Sequence, residues 1–225
     1  MNLRIFDTTS DLVSAAGRAV LQRIEQGART IALSGGSTPK PLYQSLGRND
    51  ALRSLPLTWV IVDERYVPID DPQSNAGMIQ QTLFANGMAA AHRFLRFKTE
   101  LADPAATARE FEREWQSLHI DHLDLVLLGM GDDGHTASLF PGTPVLNVED
   151  RIASEVYVPP MNSWRVTLTK PVLRAAQMRF VLAAGEAKRP VLQRVRAGSD
   201  DPIAQVTRDT ETWWFVDRAA VDSTE

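Results

Sequence analysis

The chain of 225 residues contains no cysteine. This absence excludes disulfide scaffolds, zinc sites built on thiolates, iron–sulfur clusters and thiol nucleophiles. Aromatic residues make up only 7% of the chain, and no run of basic residues is interleaved with them, as is typical of nucleic-acid-binding surfaces. Any chemistry must therefore come from oxygen and nitrogen groups.

Long hydrophobic runs are also absent. No stretch reaches the roughly 18 consecutive apolar residues of a membrane helix, and the N-terminal residues lack the apolar core of a signal peptide. The formal net charge of -4 disfavours nucleic acid as a partner. The sequence predicts a soluble, cytoplasmic protein with neither a membrane nor a nucleic-acid partner. The pattern leaves the oligomeric state open, with a monomer slightly favoured.

Short apolar runs rich in β-forming residues alternate with helical patterns along the whole chain. This alternation predicts an α/β protein with a largely parallel sheet, and the absence of linkers and repeats predicts a single domain over residues 1–225. Two helices have readable ends, one over residues 10–26 before Gly27, and one with Asp103 as N-cap and Pro104 in its first position. The predicted strands are residues 30–33, 59–62, 123–128, 152–158, 165–169, 180–183 and 213–216.

The first segment with chemical character follows the first predicted strand and reads LSGGSTP over residues 33–39. With Thr38 as N-cap and Pro39 as the first helical residue, N–H groups of the glycine turn and of the helix would point at one spot and attract an anion. The segment matches neither G-x-G-x-x-G nor a Walker A motif. It predicts a phosphate-binding loop, although a tight turn before a capped helix would show the same short pattern.

Three charged residues, Asp63, Glu64 and Arg65, follow the second predicted strand. Ligands of open α/β sheets bind at the carboxyl ends of strands, and Arg65 could form a bidentate pair with a phosphate or carboxylate. A cluster of exposed charges that neutralise one another is the alternative. The position favours Arg65 as a ligand-binding residue, and Ser74 with Asn75 is predicted to cap a following helix.

The most informative segment is GMGDDGHTASLFPG, residues 129–142, directly after the most hydrophobic strand. His135, expected at the start of the next helix, can take a proton from water near neutral pH, and the carboxylate of Asp133 can orient its ring. The pattern therefore predicts a general base with an orienting acid. Too few ligands are present for a metal site, and without a G-x-S-x-G elbow a hydrolase triad using Ser138 is disfavoured.

A fourth segment, AGEAKRP over residues 184–190, joins a strand to a short helix. Lys188 could supply a mobile positive charge to a phosphate at the same sheet edge, although a solvated Lys–Arg pair is the alternative. Pro190 moves the expected start of the helix to about Arg189. The other histidines, His92, His119 and His122, are interpreted as structural.

Taken in order, five segments resemble the 6-phosphogluconolactonase family: LSGGSTP, VDERYVP with DPQSNAGM, LDLVLLGMGDDGHTASLFPG, RVTLT and AGEAK. The family's wider fold group includes glucosamine-6-phosphate deaminases and sugar-phosphate isomerases. The resemblance implies a modified doubly wound, Rossmann-like α/β fold with a mostly parallel sheet and helices on both faces. It also implies hydrolysis of 6-phosphoglucono-1,5-lactone to 6-phosphogluconate in the pentose phosphate pathway, without a metal or organic cofactor.

The resemblance also assigns roles to particular residues. It implies that His135 is the catalytic base and that Asp133 orients it. The residues that it places against the anionic substrate are Arg65 and Lys188, the phosphate loop of Gly35, Gly36, Ser37 and Thr38, and, with weaker support, Arg165.

Two alternative functions stay open at this stage. An amino-sugar-phosphate deaminase or isomerase would share the phosphate loop and the histidine, but its pattern has a glutamate after the histidine, and residues 138–142 contain no carboxylate. A non-enzymatic sugar-phosphate sensor would keep the pocket and lack turnover. The missing carboxylate favours the lactonase over the deaminase, and the presence of both Asp133 and His135 argues against the sensor.

Overall fold

The computed structural model describes residues 1–221. Within this range no helix is both long and apolar enough to cross a lipid bilayer. The strands are β1 Asn2–Phe6, β2 Thr30–Leu33, β3 Thr58–Ile61, β4 Asp63–Arg65, β5 Arg93–Leu95, β6 Leu125–Gly129, β7 Ala153–Val158, β8 Ser163–Leu168, β9 Met178–Ala183 and β10 Thr212–Asp217. The α-helices are α1 Thr9–Glu25, α2 Lys40–Gly47, α3 Asn75–Thr82, α4 Pro104–Ser117, α5 Lys170–Ala175, α6 Arg189–Arg196 and α7 Pro202–Thr207.

Seven strands form a parallel sheet in the order β1-β10-β9-β6-β2-β3-β5, with helices around it. The central strands β6 and β9 are almost entirely apolar and buried, as strands covered on both faces should be. From β2 the chain moves outward to β3 and β5 and then returns to β6, so the strand order reverses between β2 and β6. The predicted α/β class with a mostly parallel sheet is confirmed, and ligands of such sheets bind at this reversal.

A second, antiparallel sheet has the order β4-β8-β7. β7 and β8 form a hairpin whose turn ends at Asn162, a residue with a positive φ of 44°. The sequence predicted both strands but not their separate sheet, and it did not predict β4. The pairing of β4 with β8 places Arg65 opposite Arg165, although 100 positions separate them in the sequence.

The helices with the clearest local signals are those that the sequence predicted best. In α1 the apolar face of Leu12, Ala16, Val20 and Ile24 is buried, and Gly27 after the helix has a φ of 109°. In α4 the side chain of Asp103 accepts a hydrogen bond from the N–H of Ala106, as the predicted N-cap requires. The strands missed by sequence analysis, β1, β4 and β5, are short or lie at sheet edges, where apolar runs are weak.

Arg179 of β9 is a buried cation, and only 2% of its surface is exposed. Its guanidinium donates hydrogen bonds to the carbonyl oxygens of Leu173, Arg174 and Ala176 at the end of α5. It also donates to the carbonyl of Glu211. Burial lowers the pKa of Arg179 to about 10. The side chain thus supplies hydrogen-bond donors to carbonyl groups that α5 leaves unpaired.

We expect Arg179→Met to lower the free energy of unfolding by about 3 kcal/mol, because several buried carbonyl oxygens lose their donor together. Urea denaturation monitored by circular dichroism measures the change. Arg113→Met is the matched control, since Arg113 is exposed on α4 and, among residues 1–221, pairs only with nearby Glu110. Its expected effect is within about 0.5 kcal/mol. Equal effects for the two variants would contradict the assignment of a structural role to Arg179.

Candidate active site

A pocket of about 280 Å³ lies at the carboxyl ends of the parallel strands, beside the reversal between β2 and β6. It is lined by segments that follow β2, β3, β6 and β9, together with part of β8. Asp133 does not line the pocket. The predicted site residues that line it are Gly35, Gly36, Ser37, Thr38, Arg65, His135, Arg165 and Lys188.

The side chains of Asp133 and His135 form a hydrogen-bonded pair. Nδ1 of His135 lies 2.5 Å from Oδ1 of Asp133, and the backbone N–H of His135 donates to the same oxygen at 3.0 Å. Burial raises the pKa of Asp133, but the hydrogen bonds from His135 and the electrostatic interaction with its ring outweigh this effect, so the pKa lies below its usual value. An ionised carboxylate on Nδ1 leaves Nε2 of the ring as the atom that can accept a proton.

The His135 loop, residues 130–140, is a compact turn and not the start of a helix. The predicted helical position of His135 is therefore wrong. Gly134 and Ala137 have positive φ angles of 87° and 51°, which no α-helix allows. The N–H of Gly131 donates to the carbonyl of His135 at 2.8 Å and closes the turn.

Two glycines are required by close contacts in this loop. A Cβ atom on Gly131 would lie 2.1 Å from Nδ1 of His135, and one on Gly134 would lie 2.6 Å from Oδ1 of Asp201. Asp201 is itself held by hydrogen bonds from Arg194 and Ser199. The backbone therefore approaches the imidazole on one side and the connection between α6 and α7 on the other, which holds the ring in a defined place.

The ring of Phe140 contacts both His135 and Arg165. Its ring stacks on the imidazole of His135 with centroids 4.2 Å apart, and Cζ of Arg165 lies 5.3 Å from the centre of the Phe140 ring. Arg165 is 8% exposed, and burial lowers its pKa although the charge of Asp63 raises it. Within residues 1–221 neither Arg65 nor Arg165 forms an ion pair, and the buried Nε atom of each has no hydrogen-bond partner. Two neighbouring guanidinium groups of this kind favour an anion.

The charged cluster after β3 is buried rather than solvated. Glu64 accepts hydrogen bonds from the hydroxyl of Ser74 and from the N–H groups of Arg65, Asn75 and Ala76. Burial raises the pKa of Glu64. The hydrogen bonds from these backbone N–H groups lower it by less, so the pKa lies above its usual value. The alternative interpretation as an exposed cluster is therefore wrong for Glu64, which anchors the start of α3 and the backbone of Arg65.

Asp63 links β4 to the His135 loop. Its Oδ2 accepts a hydrogen bond from the hydroxyl of Ser138 at 2.6 Å, and its backbone carbonyl accepts one from the side chain of Asn75. Ser138 is fully buried, so its hydroxyl is not available as a nucleophile. Asp63 and Asn75 line the pocket, but sequence analysis did not single them out as site residues. The signal for Asn75 is its place directly after the helix cap Ser74.

Helix α2, which follows the loop after β2, begins one residue later than predicted. Pro39 is the N-cap, α2 begins at Lys40, and Thr38 lies in the preceding turn, so the prediction of Thr38 as the cap is wrong. Gly36 has a φ of 105°, and a Cβ on Gly35 would lie 1.8 Å from Oδ1 of Asn75. Both glycines are therefore required, and Asn75 packs directly against the loop.

Lys188 follows β9 in a short turn of 3₁₀ helix, and α6 begins at Arg189 as predicted. Pro190 lies in the first turn of α6, where a missing N–H costs nothing, and it does not draw Lys188 away from the pocket. The ammonium of Lys188 lies 2.5 Å from Oδ1 of Asp132. The remaining histidines do not line this pocket, and His92 bonds to Trp59 and to the carbonyl of Leu52.

Comparison with known proteins is consistent with this geometry. A family model described as glucosamine-6-phosphate isomerases/6-phosphogluconolactonase matches residues 7–214. The 6-phosphogluconolactonase of Nostoc sp. is 40% identical over 209 residues, covering 87% of this chain and 85% of the relative. The human 6-phosphogluconolactonase is 32% identical over 237 residues, covering 97% and 92%.

Solved structures show the same similarity. The crystal structure of 6-phosphogluconolactonase from Leishmania guyanensis superposes with a TM-score of 0.83 at 30% identity, covering 97% of each chain. A monomeric glucosamine-6-phosphate deaminase superposes with a TM-score of 0.82 at 20% identity, which shows a shared fold alone. The chain, through the match over residues 7–214, belongs to the glucosamine-6-phosphate isomerase/6-phosphogluconolactonase family.

Proposed function

We propose that this protein hydrolyses 6-phosphoglucono-1,5-lactone to 6-phosphogluconate, with His135 as the general base. The observation that carries the proposal is the presence of the Asp133–His135 pair beside three cations, Arg65, Arg165 and Lys188, in and around one pocket. Hydrolysis of a phosphorylated lactone needs a base for water and positive charge for the phosphate. The 6-phosphogluconolactonases at 32% to 40% identity support the same reaction.

The reaction needs one proton transfer in each direction. Nε2 of His135 takes a proton from water as the water oxygen attacks the lactone carbonyl carbon. The carboxylate of Asp133 holds Nδ1 and stabilises the imidazolium that forms. When the tetrahedral intermediate collapses, the bond from the carbonyl carbon to the ring oxygen breaks, and the imidazolium returns the proton to that oxygen. The products are a carboxylic acid and a free hydroxyl group.

The pocket offers hydrogen-bond donors for both charged parts of the substrate. Residues Gly35, Gly36, Ser37 and Thr38, with Arg65 and Lys188, are the proposed contacts of the phosphate. Glycine-turn N–H groups or an arginine, for which Arg165 is the candidate, would stabilise the oxyanion. The net charge of -4 does not oppose this binding, because charges beyond about 10 Å are screened at ordinary ionic strength. A cytoplasmic location is part of the proposal.

The decisive experiment follows the decay of freshly generated 6-phosphogluconolactone with and without the protein, at a pH where spontaneous hydrolysis is slow. We expect acceleration in proportion to protein concentration. Folded protein without acceleration would overturn the proposal. Release of ammonia from glucosamine 6-phosphate would then indicate a deaminase, and binding of 6-phosphogluconate without turnover would indicate a sensor.

A further inference from the structure

One of the three pocket cations is already neutralised by the chain itself. Nζ of Lys188 lies 2.5 Å from Oδ1 of Asp132, at the rim of the pocket. The side chain of Lys188 is 25% exposed, whereas that of Asp132 is 66% exposed. Within residues 1–221 Asp132 makes no other side-chain hydrogen bond or ion pair. The carboxylate is therefore free to leave Lys188 for water at little cost.

The other acids near the pocket are engaged elsewhere. Asp63 accepts a hydrogen bond from the hydroxyl of Ser138. Asp133 accepts hydrogen bonds from the backbone N–H and from Nδ1 of His135. Of the three pocket cations, only Lys188 is paired with an acid in the described part of the chain. A phosphate that enters the pocket thus meets two arginines that have no ion-pair partner within residues 1–221, and one lysine that is paired with a carboxylate.

We propose that Asp132 competes with the substrate's phosphate for Lys188, and so sets the affinity of the pocket for phosphorylated ligands. The inference rests on the proposed function, since it takes the phosphate of the lactone as the ligand of Lys188. In the free protein the carboxylate of Asp132 forms an ion pair with the ammonium of Lys188. The phosphate displaces this carboxylate when it binds. The displaced carboxylate rotates into water, where its high exposure already places most of its surface.

Such a competitor affects substrate and product alike, because 6-phosphogluconate carries the same phosphate as the lactone. Binding energy that is equal for substrate, transition state and product does not raise kcat, and tight binding of the product slows its release. When Asp132 pairs with Lys188 again, it weakens the binding of the product's phosphate and so favours product release. The competitor does not act on an unphosphorylated lactone, which leaves the ion pair intact. Asp132 therefore lowers the preference for phosphorylated over unphosphorylated lactone.

Asp132→Asn tests the proposal, because it removes the charge and keeps the size of the side chain. We expect the KM for 6-phosphogluconolactone and the Kd of 6-phosphogluconate to fall by about two- to fivefold, the factor that corresponds to an exposed ion pair. The KM for unphosphorylated glucono-1,5-lactone and the Kd of gluconate are expected to stay constant. An unchanged Kd for 6-phosphogluconate, or an equal fall for both classes of ligand, would overturn the proposal.

Two further variants separate competition from simple charge repulsion. In a Lys188→Met background, Asp132→Asn should leave the Kd of 6-phosphogluconate almost unchanged, since no ammonium group remains to be released. A full effect in that background would mean that Asp132 only repels the phosphate. Glu186→Gln is the matched control, because Glu186 is 80% exposed, lies two positions from Lys188 and pairs with Arg189 instead. An equal effect of Glu186→Gln would also overturn the proposal.

Product binding and lactone hydrolysis are measured separately, and together they distinguish this inference from the proposed function. Calorimetric titration with 6-phosphogluconate reports on Asp132 without any turnover. Lactone hydrolysis with an unchanged affinity in Asp132→Asn overturns the competition alone. A rise in affinity in a protein that does not hydrolyse the lactone overturns the proposed function and keeps the competition.

Discussion

His135→Ala is expected to lower kcat/KM for 6-phosphogluconolactone by about a thousandfold, within the range of a lost general base. The Kd of 6-phosphogluconate should stay within about twofold, because the proposed phosphate contacts, the loop after β2 with Arg65 and Lys188, are untouched. Initial rates on fresh lactone and calorimetric titration with the product measure the two quantities. Wild-type activity in this variant would remove His135 from the mechanism.

His122→Gln is the matched control for this experiment. His122 is exposed, bonds to the side chain of Gln177 and lies outside the pocket that contains His135. We expect its kcat/KM to equal that of the unmodified protein. A comparable loss in both variants would indicate that loss of any histidine damages the protein, and the result for His135 would then carry no mechanistic meaning.

Gly131→Ala is expected to lower kcat by about a hundredfold, because it displaces the imidazole without removing it. The added Cβ would lie 2.1 Å from Nδ1 of His135 and 2.7 Å from Oδ1 of Asp133, so the pair has to move. A misplacement of about 1 Å at a reacting group costs on the order of a hundredfold in rate. Steady-state kinetics measure the loss, and urea denaturation shows whether the fold is retained.

Gly17→Ala makes the same chemical change at a place with room for it. A Cβ on Gly17 of α1 would lie 3.8 Å from Cγ of Leu42, an ordinary contact. We expect unchanged kcat and a gain of about 0.5 to 1 kcal/mol in the free energy of unfolding, because alanine favours a helix interior over glycine. Wild-type kcat in Gly131→Ala would show that the position of the ring tolerates the shift, contrary to the argument from close contact.

The loop after β6 shows where local patterns misled the sequence analysis. The sequence pattern places His135 at the start of a helix that follows the glycines. The structure has a turn there, since Gly134 and Ala137 adopt positive φ angles that the fold imposes. The hydrogen bond between Asp63 and Ser138 crosses 75 positions of sequence, and no local periodicity could have indicated it.

The sequence by itself determined the elements whose causes are local: the caps and apolar faces of α1 and α4, the apolar central strands, and the residue types of the His135 loop. These follow from propensity, capping and periodicity within a few residues. Only the tertiary structure decided which side chains meet. The tertiary structure placed Arg65 opposite Arg165 in the register of β4 and β8 and packed Asn75 against Gly35. It also brought Lys188 into an ion pair with Asp132. Each contact depends on how the strands are ordered and crossed, which is a property of the whole chain.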